Sequence, residues 1–189
     1  MPAKKQITKE KILEKAVGLV RKGGISCLNM RTLAQACKCS TQPIYLSFSG
    51  TEELKTEVSR AILKIFDETI EREIAKRDYP EYKAVGMGYI RFAKEEKQFF
   101  KYLLMNDGMK QTGLEQQSFD QSVFIIMKNY GLYQGDAAKL HMQMWIFVHG
   151  IASMFATDYI DLDWETVSKM VTDAYNCFVK NLKEEKDDN

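Results

Sequence analysis

Apolar residues recur at helical spacing along nearly the whole chain, and alternation long enough to build a strand occurs nowhere. Ile12, Leu13, Ala16, Val17, Leu19 and Val20 share one face of a first helix, which Gly23-Gly24 ends. Two short segments follow, 30–37 and 41–47. A stripe of Leu54, Val58, Ala61, Ile62, Ile65, Phe66, Ile70 and Ile74 then predicts a helix over 51–76. At 1.5 Å per residue that helix is about 39 Å long, and Ser49-Gly-Thr-Glu52 reads as its capping box.

Asp78-Tyr79-Pro80 breaks this helix and opens the next. Val85, Tyr89, Phe92 and Ala93 lead into Phe99, Phe100, Leu103 and Leu104, with an end at Asn106-Asp107-Gly108. Residues 108–117 are polar and predict a loop. Phe119 to Tyr130 carries another helical stripe. Two strong helices close the chain, 136–157 and 164–183, with Asp163 placed to cap the second. With only three prolines in 189 residues, the pattern predicts an all-α protein of about nine helices.

No run approaches the roughly 20 apolar residues that cross a bilayer. Met1–Gln6 lacks the apolar core of a signal peptide. Together these give the expectation of a cytoplasmic protein with no membrane role. The net charge of +1 conceals a division: residues 1–50 carry +7 and the remainder −6. A basic end on an acidic body suits a polyanion partner for the first part alone, or a lysine-rich solvated surface.

Residues 30–48 have the pattern of a helix-turn-helix. Ala34 is the small residue that a steep crossing of two helices needs, and Leu33, Cys37, Cys39, Ile44 and Phe48 are spaced to face inward. Ser40 is placed to cap the second helix, and Pro43 sits in its first turn, where the missing N–H costs little. Thr41, Gln42, Tyr45 and Ser47 are left facing outward, short or planar groups able to reach base edges or phosphates.

The residues Ile12-Leu13-x2-Ala16-x2-Leu19, Gly23, Asn29 to Ala34, Ser40 to Tyr45, Phe48 and Glu53-Leu54 together resemble the DNA-binding domain of TetR-family transcriptional regulators. Tyr89 to Phe100 and Trp145-x3-His149-Gly150 resemble that family's effector domains. The resemblance implies a helix-turn-helix DNA-binding domain over 6–66 and a helical effector-binding and dimerisation domain over 67–185. It implies DNA contacts at Asn29, Met30, Arg31, Ser40, Thr41, Gln42, Pro43, Ile44, Tyr45, Ser47 and Lys55, with the leading lysines Lys4 and Lys5 close by. Two positions depart from the family's pattern. Lys38 replaces the usual turn glycine, at a cost of about 1–2 kcal/mol if the backbone there is left-handed. Thr51 replaces the lysine that usually opens the fourth helix, which leaves that helix's N-terminus as the expected phosphate holder.

Catalytic chemistry is thinly supplied. No Ser-His-Asp set or glycine-rich phosphate loop is present. His141 and His149 are eight residues apart, out of register for a metal pair, and no metal or other cofactor is expected. His149 reads as a hydrogen-bonded core or pocket residue. Cys27, Cys37, Cys39 and Cys177 read as buried small hydrophobes, with a redox switch as the alternative. Phe92, Phe100, Met105, Phe124, Met127, Trp145 and His149 suit an apolar pocket for a small effector, with Tyr130 and Met142 as further aromatic and sulfur groups of that body.

These readings converge on a ligand-responsive DNA-binding repressor. It would bind a near-palindromic operator on double-stranded DNA as a homodimer through helices 136–157 and 164–183. The alternative is a helical small-molecule-binding or protein-interaction module without specific DNA binding.

Overall fold

The computed structural model describes residues 7–187, with side chains to 184; Lys4, Lys5 and Gln6 of the expected leading arm lie outside the described residues. Ten α-helices, one 3-10 turn and no strand occur among them. They are α1 (Lys9–Gly23), α2 (Met30–Cys37), α3 (Gln42–Ser47), α4 (Thr51–Ala75), α5 (Glu81–Glu95), α6 (Lys97–Leu104), α7 (Gly108–Thr112), α8 (Glu115–Tyr130), α9 (Gln134–Ala156) and α10 (Trp164–Asp187). The segment expected to be a loop over 108–117 holds α7 and the start of α8. Gly108 makes that corner: a Cβ there would lie 2.6 Å from the Tyr102 carbonyl oxygen and 2.8 Å from the Leu103 Cα. Only a residue without a side chain lets the chain turn so close behind α6.

The helices fall into two compact units, and the division lies between residues 65 and 66, within α4. The first unit takes in α1, the turn Ile25–Cys27, α2, α3 and the opening of α4, together with 96–113. Its core is Ile12, Ala16, Val20, Leu33, Ile44, Phe48, Leu54, Val58, Phe99, Phe100 and Leu103, all essentially sealed from solvent. Segment 96–113 is fastened here by polar groups as well. Arg21 donates to Glu96 at 3.0 Å and lies over the Phe99 ring at 4.9 Å. Ser59, fully buried on α4, lies 2.8 Å from the Tyr102 hydroxyl, and Tyr102 donates to Gln111 at 2.9 Å.

The second unit contains α4 from Phe66 onward, α5, α8, α9 and α10. Helix α9 packs against α5, α8 and α10. Two tyrosine–histidine bonds set its register on α5: Tyr82 Oη lies 2.9 Å from His141 Nδ1, and Tyr89 Oη lies 2.7 Å from His149 Nδ1. Both sequence numbers rise together, so the two helices run parallel. Helix α4 approaches α5 closely at Gly88, where a Cβ would meet the Ile70 Cα at 3.1 Å. The buried Glu73 beside it accepts from Arg91 at 2.6 Å and from Lys76 at 2.7 Å. Burial raises the Glu73 carboxyl, but the bonds from Arg91 and Lys76 outweigh it and hold that carboxyl below its ordinary range.

Candidate nucleic-acid interface

Helix α2 begins with a reciprocal cap. Asn29 Oδ1 accepts from the Arg31 and Thr32 N–H groups, each at 3.0 Å, and Thr32 Oγ1 accepts from the Asn29 N–H at 3.1 Å. Asn29, expected at the DNA, thus has its side-chain oxygen engaged in holding α2, while Arg31 beside it is exposed. Helix α2 ends at Lys38, whose backbone is left-handed (φ 53, ψ 41). The Lys38 N–H donates to Gln35 O at 3.1 Å, and the Cys39 N–H donates to Ala34 O at 3.0 Å. The chain makes the glycine-type turn with a lysine and bears the strain.

The second helix of the motif differs from its expected start. Helix α3 opens at Gln42 with Thr41 as N-cap and no side-chain cap, so Ser40 does not perform the expected capping. Pro43 removes one of the donors that a cap would satisfy, and the Thr41 carbonyl accepts from the Ile44 N–H at 3.1 Å. Ile44 faces inward as its spacing predicts, which corrects the DNA contact that the resemblance implies for it: it is 0% exposed, sealed like Leu33 and Phe48. Thr41 and Gln42 are exposed, and Tyr45 is 57% exposed. Ser47 is half-buried, and its hydroxyl turns back to donate to Pro43 O at 2.9 Å. Ser40 is exposed; Met30 and Pro43 are half-buried.

Helix α4 opens on its own carboxylates. Glu53, not Glu52, reaches back: it accepts from the Ser49 N–H at 2.6 Å and from Lys9 at 3.0 Å. The Ser49 backbone bond, with Lys9 adding to it, holds the Glu53 carboxyl down at about 2. Glu52 and Glu53 lie in the first turn of α4, where negative charge complements the helix's own N-terminus. Lys55 is half-buried and pairs with Glu52 at 2.9 Å.

The seven residues expected to line a pocket are divided between the units. Phe100 and Met105 belong to the first, Phe100 sealed in the core and Met105 exposed just past α6. In the second unit, ring contacts connect Phe92 through Phe66 (5.2 Å) to Tyr89 (5.6 Å), and Tyr89 bonds His149, against which Trp145 lies at 5.5 Å. Burial lowers the His149 imidazole, and it holds the His141 imidazole down at about 4, so both are neutral near pH 7. Phe124 is a correction. It is 64% exposed because the α8 stripe turns Val123 and Ile126 inward and leaves 124 outside, while Met127 is half-buried. The cysteines also differ from expectation: Cys27, Cys37 and Cys39 are half-buried and Cys177 is exposed.

Solved structures share this fold. A Rhodococcus sp. RHA1 protein of unknown function matches with a TM-score of 0.74 at 19% identity, over 96% of this chain and 98% of its own. A putative TetR-family transcriptional regulator from Vibrio parahaemolyticus matches at 0.63 and 18% identity, over 89% and 97%. A TetR-like transcriptional regulator from Rhodococcus sp. RHA1 matches at 0.63 and 14% identity, over 96% and 97%. The fold is TetR-like. No protein-family model and no curated protein matches the chain by sequence.

Within the TetR-like fold, one outward residue of α3 escaped the sequence reading. Leu46 is 72% exposed, more than Tyr45 beside it. Its helical position could have revealed it, since residue 46 lies about 200° around from the inward Ile44 at 100° per residue. No described helix is long and apolar enough to cross a membrane.

Proposed function

We propose that this chain is a DNA-binding transcriptional regulator of the TetR kind, a ligand-responsive repressor that binds a near-palindromic operator as a homodimer. The observation that carries the reading is the outward face of α3. Thr41, Gln42, Tyr45 and Leu46 stand in solvent while Ile44 and Phe48 root the same helix in the core. A rooted helix with free polar and planar groups is what entry into a major groove requires, and it sits at the basic end of the chain. Arg31 and Lys55 are the backbone-contacting cations of this reading.

One recognition helix reads only a few base pairs, so the reading needs two copies. The proposed interface is α9 with α10. Met142 and Met154 are exposed on α9, and Ile146 is 60% exposed, an apolar row that a four-helix bundle with a second copy would cover. The proposed effector is a small apolar molecule bound in the second unit beside Phe92, Trp145 and His149. Helix α4, which contributes to both units, is the lever in this reading. The effector shifts the spacing of two recognition helices only by its differential affinity for the two spacings.

Selection from a random duplex library by the full-length protein tests the reading. The expected product is a near-palindrome with half-sites about one helical turn apart, or a multiple of it. Tyr45→Ala is expected to weaken binding to that product while leaving the helical circular-dichroism spectrum unchanged. Failure to enrich any sequence, with no retention of duplex at low salt, would favour a helical binding module without DNA recognition.

A further inference from the structure

Resting on the regulator reading, we infer that Leu46 reads the C5 methyl of a pyrimidine in the major groove, thymine in ordinary DNA, beside an adenine edge that Gln42 reads. Relative to Ile44, which is sealed in the core, Leu46 lies about 200° and Gln42 about 160° around α3. The two straddle the pole opposite the buried side, one turn apart, with their Cβ atoms about 6 Å from each other. Tyr45, about 100° around, flanks them. Residues 42 and 46 are therefore the groups that a groove-bound α3 carries deepest.

Their chemistries are complementary. The Gln42 amide offers a donor and an acceptor, the pair that matches adenine's N6 and N7. Leu46 has neither, so it gains nothing from a phosphate, a sugar hydroxyl or the polar base edges. The apolar group that a base pair presents in the major groove is the C5 methyl of thymine. At 72% exposure Leu46 keeps most of its surface available for that contact, and no other large apolar side chain of α3 reaches solvent except Tyr45. The same contact would accept 5-methylcytosine and would gain nothing from unmodified cytosine or uracil.

The test uses the full-length protein and the duplex it selects from a random library. Each thymine is replaced in turn by deoxyuridine, which removes one methyl and leaves every hydrogen-bonding group in place. Affinity is read by fluorescence anisotropy. Removing the methyl under Leu46 is expected to weaken the wild-type protein about fourfold for one half-site. When both half-sites are changed, the loss is expected to be about 16-fold. Leu46→Ala is expected to be indifferent to that same replacement while still binding the duplex, and its exposed position leaves the fold unaffected. Wild-type protein that tolerates deoxyuridine at every position overturns the inference while the regulator reading stands. An equal loss in wild type and Leu46→Ala does the same. Failure to bind any duplex overturns both.

Discussion

Replacing Lys38 by glycine should stabilise the protein, although it removes a side chain and adds no contact. Lys38 is exposed, so little packing is lost, and its backbone lies in the left-handed region at φ 53, ψ 41. A residue with a Cβ bears about 1–2 kcal/mol of strain there. Glycine relieves that strain but loses more freedom on folding, which returns about 0.5–1 kcal/mol. The net expectation is a gain of up to about 1.5 kcal/mol. With a urea slope of about 2 kcal/mol per molar, the midpoint should rise by up to about 0.7 M. Gln35→Gly is the control: at an exposed helical position in the last turn of α2 the same residue type should cost up to about 1 kcal/mol. Lys38→Val should be worse than wild type, because a branched Cβ tolerates this backbone least. If glycine at 38 lowers the midpoint, or both glycines act with the same sign, the strained-turn reasoning is refuted.

Glu73→Gln should lower stability by about 1–3 kcal/mol near pH 7, since it leaves Arg91 and Lys76 without their shared carboxylate. The Glu73 carboxyl is depressed in the folded protein, so its contribution is present above the unfolded value of about 4.3 and lost as pH falls through the folded one. Urea midpoints of variant and wild type should therefore converge as pH falls through the depressed folded value of the Glu73 carboxyl, and a gap independent of pH would count against the pairing. Ile146→Asp on α9 and Phe178→Asp at a half-buried position of α10 should each give monomers by light scattering; dimers in both variants would move the interface away from α9 and α10. Ser59→Ala should leave the Tyr102 hydroxyl with Gln111 as its bond and cost about 0.5–1.5 kcal/mol in thermal or urea melts. No measurable change would show that the Ser59–Tyr102 bond contributes little to holding α6 on α4.

The helical period made most of this fold legible, because a face that must be buried announces itself every three or four residues. The turn at Lys38 came from the resemblance, which has a glycine at that position, and the chain keeps the left-handed backbone with a lysine in its place. The cap at Asp163 was legible too: Asp163 accepts from the Thr166 N–H at 2.8 Å. Short-range choices were less visible. Ser49 and Glu52 satisfied a capping-box pattern, yet Glu53 is the residue that reaches back, because Lys9 from another helix draws it there. Such a partner, 44 residues away, leaves no local signature. Helix α7 was hidden because its five residues carry only one large apolar side chain, Met109, and begin with a glycine, the composition of a loop, while the reason for that glycine is the backbone of α6 behind it. The fastening of 96–113 to the first unit depends on Arg21–Glu96 and Ser59–Tyr102, pairs that only the folded chain brings together. On α3, a preference for polar groups as DNA readers concealed Leu46, while Ile44 entered through the resemblance alone, against the inward face that its spacing gives it.

The central claim, that the first unit grips nucleic acid through its cations and α3, is tested most directly by the salt dependence of duplex binding. Full-length protein and a fluorescent duplex are titrated by anisotropy from about 50 to 200 mM salt. If Arg31 and Lys55 of two copies each neutralise one phosphate, log affinity should fall with log salt at a slope of about −4. Arg31→Ala should make that slope shallower by about 2, since both copies lose a contact. Binding that is absent at about 50 mM salt, or that does not change with salt, would contradict the account.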